Sequence, residues 1–229
     1  MKINLKTIPK NPIVIEGFPG FGLVGTIVTD YLVRHTDAKL IGEFIYSDLP
    51  AVIAIHETKM ERPMAIFYSK KYNLVVLHTK LVTKGKEWRI AEAIIEMARK
   101  MKAKEFISIE GVGSSNGEED THLYSYNSPA LVKLGAKPVQ ESIIMGVTAA
   151  MMLRYPKMSC IFAGTQSENP DSKAAAKVIE LLDKYLNLKV DYAPLLKQAE
   201  EVEAKAKSII QKSSQAAEEV DRKNMSYLG

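Results

Sequence analysis

The alternation of short apolar runs with amphipathic segments is the feature that most limits how this chain can fold. Residues 12–16 are a short apolar run that ends at glycines, which is typical of a buried strand. From Gly22 to His35, apolar side chains return at the spacing of a helix. Further strand-like runs then follow with no helix between them, at residues 39–46, 51–56, 64–68 and 74–78. Part of the sheet must therefore be antiparallel, and the sequence predicts a mixed sheet.

The second half of the sequence returns to alternating helices and strands. The predicted elements are a helix over residues 86–101, a strand over 105–109, a buried helix over 142–153, a strand over 158–163 and a helix over 170–186. Asn169 is the expected N-cap of the last helix, and Pro170 its first residue. These elements predict an α/β fold in which a mixed central sheet is flanked by helices.

The C-terminal segment differs in composition from the rest of the chain. Residues 195–223 contain no Gly, Pro, Phe, Tyr or Trp and carry six acidic and six basic side chains. Apolar residues recur there every three or four positions, which predicts a long helical arm with a thin apolar seam. The sequence therefore divides into an α/β core domain, residues 1–190, and a C-terminal helical arm and tail, residues 191–229.

Two packings are open for this arm, because it can lie on its own domain or pack against another subunit. Zero net charge and an apolar seam suit packing against a like helix, and a closed ring or cage would multiply such modest contacts. We favour the second packing and expect a homo-oligomer of four or more subunits. The expected oligomerisation contacts are Leu195, Leu196, Val202, Ile209, Ile210 and Val220.

Charge, cysteine content and hydropathy exclude several classes of protein. Basic residues number 31 against 27 acidic ones and form no basic block, so we expect no nucleic-acid partner. Cys160 is the only cysteine, so one chain can form neither an intramolecular disulfide nor a cysteine-based zinc site. No apolar run approaches the roughly 20 residues that span a bilayer, and residues 1–11 lack the apolar core of a signal peptide. We expect a cytoplasmic protein with no membrane partner.

The glycine-rich stretch Gly17–Gly25 follows a predicted strand and opens a predicted helix. Within it, Gly20, Gly22 and Gly25 satisfy the spacing G-x-G-x-x-G, and Glu43 ends the next strand at about the offset of a ribose-binding acid. One interpretation is therefore a dinucleotide-binding turn. Against it, two phenylalanines and a proline stand where the loop should be open. We favour a tight strand-to-helix turn that is packed under the sheet.

A second glycine-rich loop, residues 110–120, ends in three adjacent acidic side chains. Glu118, Glu119 and Asp120 would repel a phosphate, so we expect them to be exposed and, if they function, to face a basic partner surface. A metal site with His122 is conceivable, but solvated carboxylates are the commoner outcome, and we expect no metal. The sequence also shows no catalytic signature, since it contains neither H-E-x-x-H nor G-x-S-x-G.

Further blocks of sequence form a recognisable pattern through their order and spacing. They are Gly17–Gly25 leading into residues 26–33, Glu110–Gly113, Ile144–Val147, Phe162–Thr165 and Pro170–Ala175. This pattern resembles the proteasome assembly chaperone family, in particular its archaeal members. The resemblance implies an α/β core distantly similar to nucleoside phosphorylases, with no established set of catalytic residues. It also implies assembly into homo- or hetero-oligomers and, for several members, action on the core proteasome.

Some archaeal members of that family dock on the proteasome through a C-terminal tripeptide of a hydrophobic residue, a tyrosine and any residue. A terminal carboxylate there lies near a lysine between α-subunits, and the tyrosine packs beside it. This chain ends with the tyrosine third from the end and with Ser226 in place of the hydrophobic residue. Met225, Tyr227 and Leu228 are the candidate docking residues, and an ordinary frayed terminus is the alternative.

The residues and the resemblance together predict a non-enzymatic, oligomeric, chaperone-like protein. It would act by binding protein partners, with the core proteasome as the candidate, and would need no cofactor. The alternative is an enzyme or binding protein for a nucleotide or nucleoside that uses the turn Gly17–Gly25.

Overall fold

The fold is an α/β arrangement built on one large mixed sheet. The computed structural model describes residues 1–46, 53–56, 58–81, 84–113, 121–165, 168–191 and 193–197, with 201, 203–204, 207–208, 210–212 and 215 of the C-terminal segment. These residues form a sheet of nine strands and a separate two-stranded hairpin. The prediction of a mixed sheet flanked by helices is thereby confirmed.

The strands and helices follow the chain in an order close to the predicted one. The strands are β1 (Lys2–Leu5), β2 (Ile13–Gly17), β3 (Lys39–Ile45), β4 (Ala54–His56), β5 (Lys59–Glu61), β6 (Met64–Ser69), β7 (Leu74–Thr79), β8 (Glu105–Gly113), β9 (Leu123–Tyr126), β10 (Lys137–Pro138) and β11 (Ser159–Thr165). The helices are α1 (Val24–His35), α2 (Glu87–Met101), α3 (Pro129–Lys133), α4 (Gly146–Arg154), α5 (Ser172–Leu186) and α6 (Ala193–Lys197).

The strand order within the large sheet is β1-β3-β6-β7-β2-β8-β11-β9-β10. Its centre is parallel, because β2 pairs in parallel with β7 and β8, and β8 pairs in parallel with β11. The flanks are antiparallel at β1, β3 and β6 and between β9 and β11. The parallel centre places the carboxyl ends of four neighbouring strands at one edge, which is where open α/β sheets bind their ligands.

Helices cover both faces of this sheet and bury a separate apolar core on each. On one face, α1 and α5 pack over alternate residues such as Ile15, Ile107 and Ile161. On the other face, α2 and α4 pack over the intervening residues, among them Phe106 and Phe162. Burial on both faces explains why the central strands read as nearly continuous apolar runs in the sequence.

The structure corrects several element boundaries and adds elements that the sequence pattern did not predict. Helix α5 begins at Ser172, and its N-cap is Asp171, whose carboxylate accepts a hydrogen bond from the Ala174 amide at 2.8 Å. The expected N-cap, Asn169, and the expected first residue, Pro170, therefore precede the helix. Helix α4 begins at Gly146, four residues after the predicted start. The short elements β1, β5, β9, β10 and α3 were not predicted.

In the part of the chain that the structure describes, no helix combines the length and hydropathy needed to cross a membrane.

The helix α4 offers a direct test of how the second core contributes to stability. Met151 is fully buried between the sheet and α2, whereas Leu153 is 73% exposed on the same helix. We expect Met151→Ala to lower the free energy of unfolding by about 2 to 4 kcal/mol, because it removes buried apolar volume. Leu153→Ala should change it by less than about 0.5 kcal/mol, because that side chain loses little on truncation. Urea unfolding followed by circular dichroism would measure both, and equal effects would contradict the assigned burial.

Candidate functional site

The glycine-rich stretch forms a turn that joins β2 to α1 at the carboxyl edge of the sheet. Strand β2 ends at Gly17, a single 3-10 turn spans Phe21–Leu23, and α1 begins at Val24. A Cβ atom on Gly17 would lie 2.4 Å from the Gly25 carbonyl oxygen, and one on Gly25 would lie 2.5 Å from the Ile109 carbonyl oxygen. The first turn of α1 is therefore in backbone contact with β2 and β8, which only glycine permits at these positions.

At Gly22 the backbone lies in the left-handed region that favours glycine, with φ at 61°, and Leu23 follows in the same region with φ at 47°. A Cβ on Gly22 would also lie 2.9 Å from the hydroxyl oxygen of Thr165 at the end of β11. The Gly22 carbonyl accepts a hydrogen bond of 2.8 Å from the amide of Asp171, the N-cap of α5. The turn thus ties β2, β11 and α5 together, which agrees with the packed strand-to-helix turn that the sequence favoured.

Two glutamates lie beside this turn, on the face of the sheet that α2 and α4 cover. Glu16 of β2 is opposite Ser108 of β8, and Glu110 follows Ser108 by two residues on the same face. A Cβ on Gly20 would stand 3.6 Å from Oε1 of Glu110, which places the turn directly against that carboxylate. The carboxyl ends of two adjacent parallel strands therefore bring two acidic side chains together.

Glu16 is fully buried, Glu110 is partly buried, and both carboxyl groups are poorly partnered. Among the described residues, neither oxygen of Glu16, nor Oε2 of Glu110, meets a hydrogen-bond partner. Burial raises the pKa of Glu16 to about 8; the Ser108 hydroxyl lowers it in part, and the Glu110 charge raises it further. Burial also raises the pKa of Glu110 to about 7, with the Thr148 hydroxyl acting in the opposite direction. At neutral pH the pair therefore holds protons that ordinary glutamates would have lost.

Hydroxyl groups and one thiol complete the surroundings of the two glutamates. Ser108 Oγ and Thr148 Oγ1 lie 3.1 Å apart and are both buried, and Thr148 belongs to the first turn of α4. Cys160 of β11 is buried nearby, and its pKa is raised by burial and by the charges of Glu16 and Glu110. A thiol with a raised pKa stays protonated over more of the pH range and is a poor nucleophile.

This arrangement is unsuited to binding a phosphate. The turn carries the glycines of a phosphate-binding motif, but its neighbours are carboxylates instead of basic groups. The structure brings Gly20, Gly22 and Gly25 together, yet it places Glu43 on β3, separated from β2 by β6 and β7 in the sheet. Glu43 instead pairs with Arg62. The acid expected to bind a ribose is therefore remote from the glycine turn.

The sequence interpretation missed Glu16 and Glu110 as a pair, although a signal was present. The tripeptide Ile-Glu-Gly occurs at residues 15–17 and again at residues 109–111. Each copy ends an apolar run that reads as a buried strand. A charged residue repeated at the ends of two buried strands, and followed each time by glycine, is an unusual pattern that points to a shared site.

A second polar cluster lies on the opposite face of the sheet, under α1. His78 Nδ1 is 2.9 Å from the Thr29 hydroxyl, and His78 Nε2 is 3.7 Å from Oδ1 of Asp30. Burial acts to raise the pKa of Asp30, but the charges of His78, Arg34 and Lys80 outweigh it and lower that pKa. His78 is thus a buried histidine with Thr29 and Asp30 as its neighbours.

A groove of about 530 Å³ opens where β8 and β11 end, on the same face as the two glutamates. Its lining includes Val112, Tyr124, Phe162, Lys137 and Glu141. Lys137 is the one basic side chain among the described residues that line it. The described residues contain no group of three or more His, Cys, Asp or Glu side chains that could hold a metal ion.

The described part of the C-terminal arm lies against its own domain. The Ser172 amide donates to Glu203 Oε1 at 3.0 Å, and Lys207 Nζ donates to Asn169 Oδ1 at 3.3 Å. Ile210 packs against the core under α1 and α5, while Leu196 on α6 is 47% exposed. These contacts hold the start of the arm at the N-terminus of α5.

Several residues predicted to function cannot be placed. Val202, Ile209 and Val220 of the arm, Met225, Tyr227 and Leu228 of the tail, and Glu118, Glu119 and Asp120 of the acidic loop lie outside the described residues. Leu195 belongs to α6, but its side chain is outside the described part as well. The roles given to these residues remain predictions.

Comparison with known proteins places this geometry in context. Residues 14–210 match the model of the PAC2 family, so the match runs past residue 190 into the arm. An uncharacterised protein of Methanocaldococcus jannaschii is 27% identical over 209 residues, covering 87% of this chain and 86% of that protein.

Solved structures share the fold over nearly the whole chain. Pyrococcus furiosus PbaA, described as an archaeal homologue of proteasome-assembly chaperone, superimposes with a TM-score of 0.83 at 27% identity. The alignment covers 93% of this chain and 99% of PbaA. Pyrococcus furiosus PbaB, described as an archaeal proteasome activator, aligns with a TM-score of 0.73 at 19% identity and covers 91% of this chain and 98% of its own. At that identity, the PbaB likeness concerns the fold alone.

The contact of α1 with β8 predicts that Gly25 tolerates no side chain. Gly25→Ala should lower the free energy of unfolding by about 2 kcal/mol or more, because its Cβ would meet the Ile109 carbonyl oxygen. This loss would arise although alanine favours a helix by up to about 1 kcal/mol over glycine. Gly20→Ala is the matched control, since its Cβ would make only ordinary contacts and its backbone is extended. Urea unfolding of both variants would test the contact, and a neutral Gly25→Ala would contradict it.

The buried carboxyl of Glu16 predicts an unusual dependence of stability on pH. Its pKa is about 8 in the folded chain and 4.5 as an ordinary glutamate, so unfolding releases a proton between those values. Stability should therefore fall as pH rises through this window, by up to about 1.4 kcal/mol per pH unit for one group. The lowered pKa of Asp30 acts only at lower pH and does not oppose this trend.

Glu16→Gln should make that slope smaller, because glutamine does not titrate, and Glu110, whose pKa is raised to about 7, should account for the slope that remains. Urea unfolding in metal-free buffer between about pH 5 and pH 8 would measure the slopes. Glu96→Gln makes the same chemical change at an exposed position of α2 and should leave the slope as in the wild type. A wild-type chain whose stability does not fall over this range would show that Glu16 is ionised in the folded state.

Proposed function

This chain belongs to the PAC2 family, and we propose that it acts as a non-enzymatic, homo-oligomeric, chaperone-like protein. It would work in the cytoplasm by binding protein partners, with components of the core proteasome as the first candidates. The observation that carries this proposal is the likeness to PbaA in both sequence and fold, over nearly the full length of both chains. A relative that is similar from end to end supports a shared mode of action more strongly than one shared motif does.

The surface of the described residues supports a protein-binding role. Ile55 of β4 and Met60 of β5 are cross-strand partners in the hairpin, and they are 75% and 60% exposed. An isolated two-stranded hairpin is marginally stable in water, and exposed apolar side chains on it favour contact with another protein. This hairpin adds a candidate contact that the sequence interpretation did not include.

The geometry of the glycine turn weighs against the alternative of a nucleotide- or nucleoside-binding enzyme. Glu110 stands beside Gly20, and Glu16 lies behind it, so a bound phosphate would face two acidic groups. The remote position of Glu43 removes the expected ribose contact. Calorimetric titration with NAD, ATP and nucleosides should therefore show no binding, and micromolar affinity for any of them would favour the alternative.

We place the subunit contacts in the arm, as the sequence suggests, with four or more subunits in the assembly. Glu203 and Lys207 contact residues at the N-terminus of α5, and Ile210, which the sequence analysis expected at a subunit contact, packs on the core of its own chain. The exposed Leu196 and the remaining seam residues Leu195, Val202, Ile209 and Val220 would then meet a second copy. The division between a core domain of residues 1–190 and an arm of residues 191–229 is part of this proposal.

The oligomer proposal is tested by one charge introduced into the seam. We expect Leu196→Glu to lower the assembly state seen by native mass spectrometry, because it places a carboxylate where two apolar seams would meet. Lys197→Glu, at the exposed neighbouring position, is the matched control and should leave the mass unchanged. A monomeric wild-type chain, or an unchanged mass for Leu196→Glu, would contradict the role of the arm.

Proteasome binding is tested separately with the full chain and purified core proteasome. We expect a complex in native mass spectrometry that weakens when Tyr227 and Leu228 are deleted or when Glu118, Glu119 and Asp120 are replaced by alanine. Retention of the complex in the tail variant alone would assign binding to the acidic loop. If the wild-type chain forms no complex with the core proteasome, the proposed partner is wrong.

A further inference from the structure

We propose that Glu16 and Glu110 form a binding site for a hard divalent cation of the Mg²⁺ or Ca²⁺ class, with the hydroxyls of Ser108 and Thr148 as additional ligands. The proposal is independent of the chaperone-like function, because it concerns the interior of one subunit. It also differs from the metal site considered at the acidic loop, since it uses none of those residues.

The two glutamates have no counter-charge among the described residues. Glu16 is fully buried, and both of its oxygens and Oε2 of Glu110 lack hydrogen-bond partners among the described residues. The two carboxyl groups interact with hydroxyl groups and with one another. No basic side chain of the described residues is among the groups that shift their pKa values. Isolated carboxylates in such surroundings are costly, and they occur with a paired cation, a metal ion or a bound proton.

The donor atoms around the two glutamates match one class of metal. The available ligands are carboxylate and hydroxyl oxygens, which suit Mg²⁺ and Ca²⁺ better than soft metals. Cys160 of β11 is also close, but a thiol is a softer ligand than these hard cations prefer. With only two charged ligands, a divalent ion would leave the site electrically neutral.

Two strands and a helix meet at the pair of glutamates. Glu16 and Glu110 project from neighbouring parallel strands, and Ser108 lies opposite Glu16 and two residues before Glu110 on the same face. Thr148 approaches from α4, with its hydroxyl 3.1 Å from that of Ser108. The strands and the helix already hold these ligands in position, so an ion would not need to order a loop when it binds.

The size of the site favours an ion over a larger cationic group. Glu16 has no exposed surface, so a lysine or arginine of a partner protein would have to displace neighbouring residues to reach it. Glu110 is partly buried. The partial positive charge at the start of α4, about half a unit, cannot balance two carboxylates.

The test uses the full chain, stripped with EDTA and dialysed, and Mg²⁺, Ca²⁺ or Mn²⁺ as the probe. Isothermal titration should show binding of one ion per chain with a dissociation constant of about 1 mM or tighter for at least one of these ions. At about a hundredfold excess over that constant, the melting temperature should rise by about 5 °C or more. Potassium chloride at equal ionic strength should produce neither effect.

Variants separate this site from ions bound at the surface. Glu16→Gln and Glu110→Gln should each weaken binding by about 100-fold. Thr148→Val removes the hydroxyl group but keeps the shape of the side chain, and it should weaken binding less. Glu96→Gln, the exposed control, should bind as the wild type does. Circular dichroism would show whether each variant is folded, and Mn²⁺ electron paramagnetic resonance of the wild type gives a direct count of bound ions.

Two outcomes would overturn the proposal. One is that no divalent ion binds the folded wild-type chain below about 10 mM, which would leave the pair balanced by protons alone. The other is that folded Glu16→Gln and Glu110→Gln bind the ion as tightly as the wild type does. Loss of binding in both variants, with Glu96→Gln unaffected, would establish the site. Neither result depends on whether the chain binds a proteasome.

Discussion

The close backbone contact between the glycine turn and the central strands is the constraint on which the rest of this structure depends. Gly17 and Gly25 let the first turn of α1 touch β2 and the Ile109 carbonyl of β8. That contact sets the position of α1 on one face of the sheet and brings Gly20 against Glu110 on the other. The turn that resembles a phosphate-binding motif therefore serves to pack α1 against the sheet. The two glutamates beside it make that edge of the sheet acidic.

The acidic pair and the surface of the molecule suggest two separate properties. Glu16 is fully buried and Glu110 is partly buried, and burial holds the pKa of each carboxyl above that of an ordinary glutamate. Two of the apolar side chains that face solvent, Ile55 and Met60, lie on a hairpin separate from the large sheet. The proposed protein-binding function concerns the second property, because protein binding needs an accessible surface.

The sequence predicted the main elements well because their apolar periodicity is strong. The strands at residues 13–17, 64–69 and 74–79 and the helix Glu87–Met101 differ from the predicted bounds by only one or two residues. The short elements β1, β9 and α3 were missed, since four or five residues carry too little periodic signal and depend on neighbouring strands. The N-cap of α5 was misplaced because Asn169 and Asp171 are both good capping residues, and only the turn at Gly22 selects Asp171.

The sequence by itself determined the α/β class, the mixed sheet and the need for a tight turn at Gly17–Gly25, because these follow from local spacing of apolar residues and glycines. Only the tertiary structure decided which distant residues meet. It separated Glu43 from the glycine turn by placing β6 and β7 between β3 and β2. The parallel pairing of β2 with β8 brings Glu16 close to Glu110, although the two residues are 94 positions apart in the chain. Strand order is fixed by how helices cover the two faces of the sheet, and local sequence carries little record of that packing.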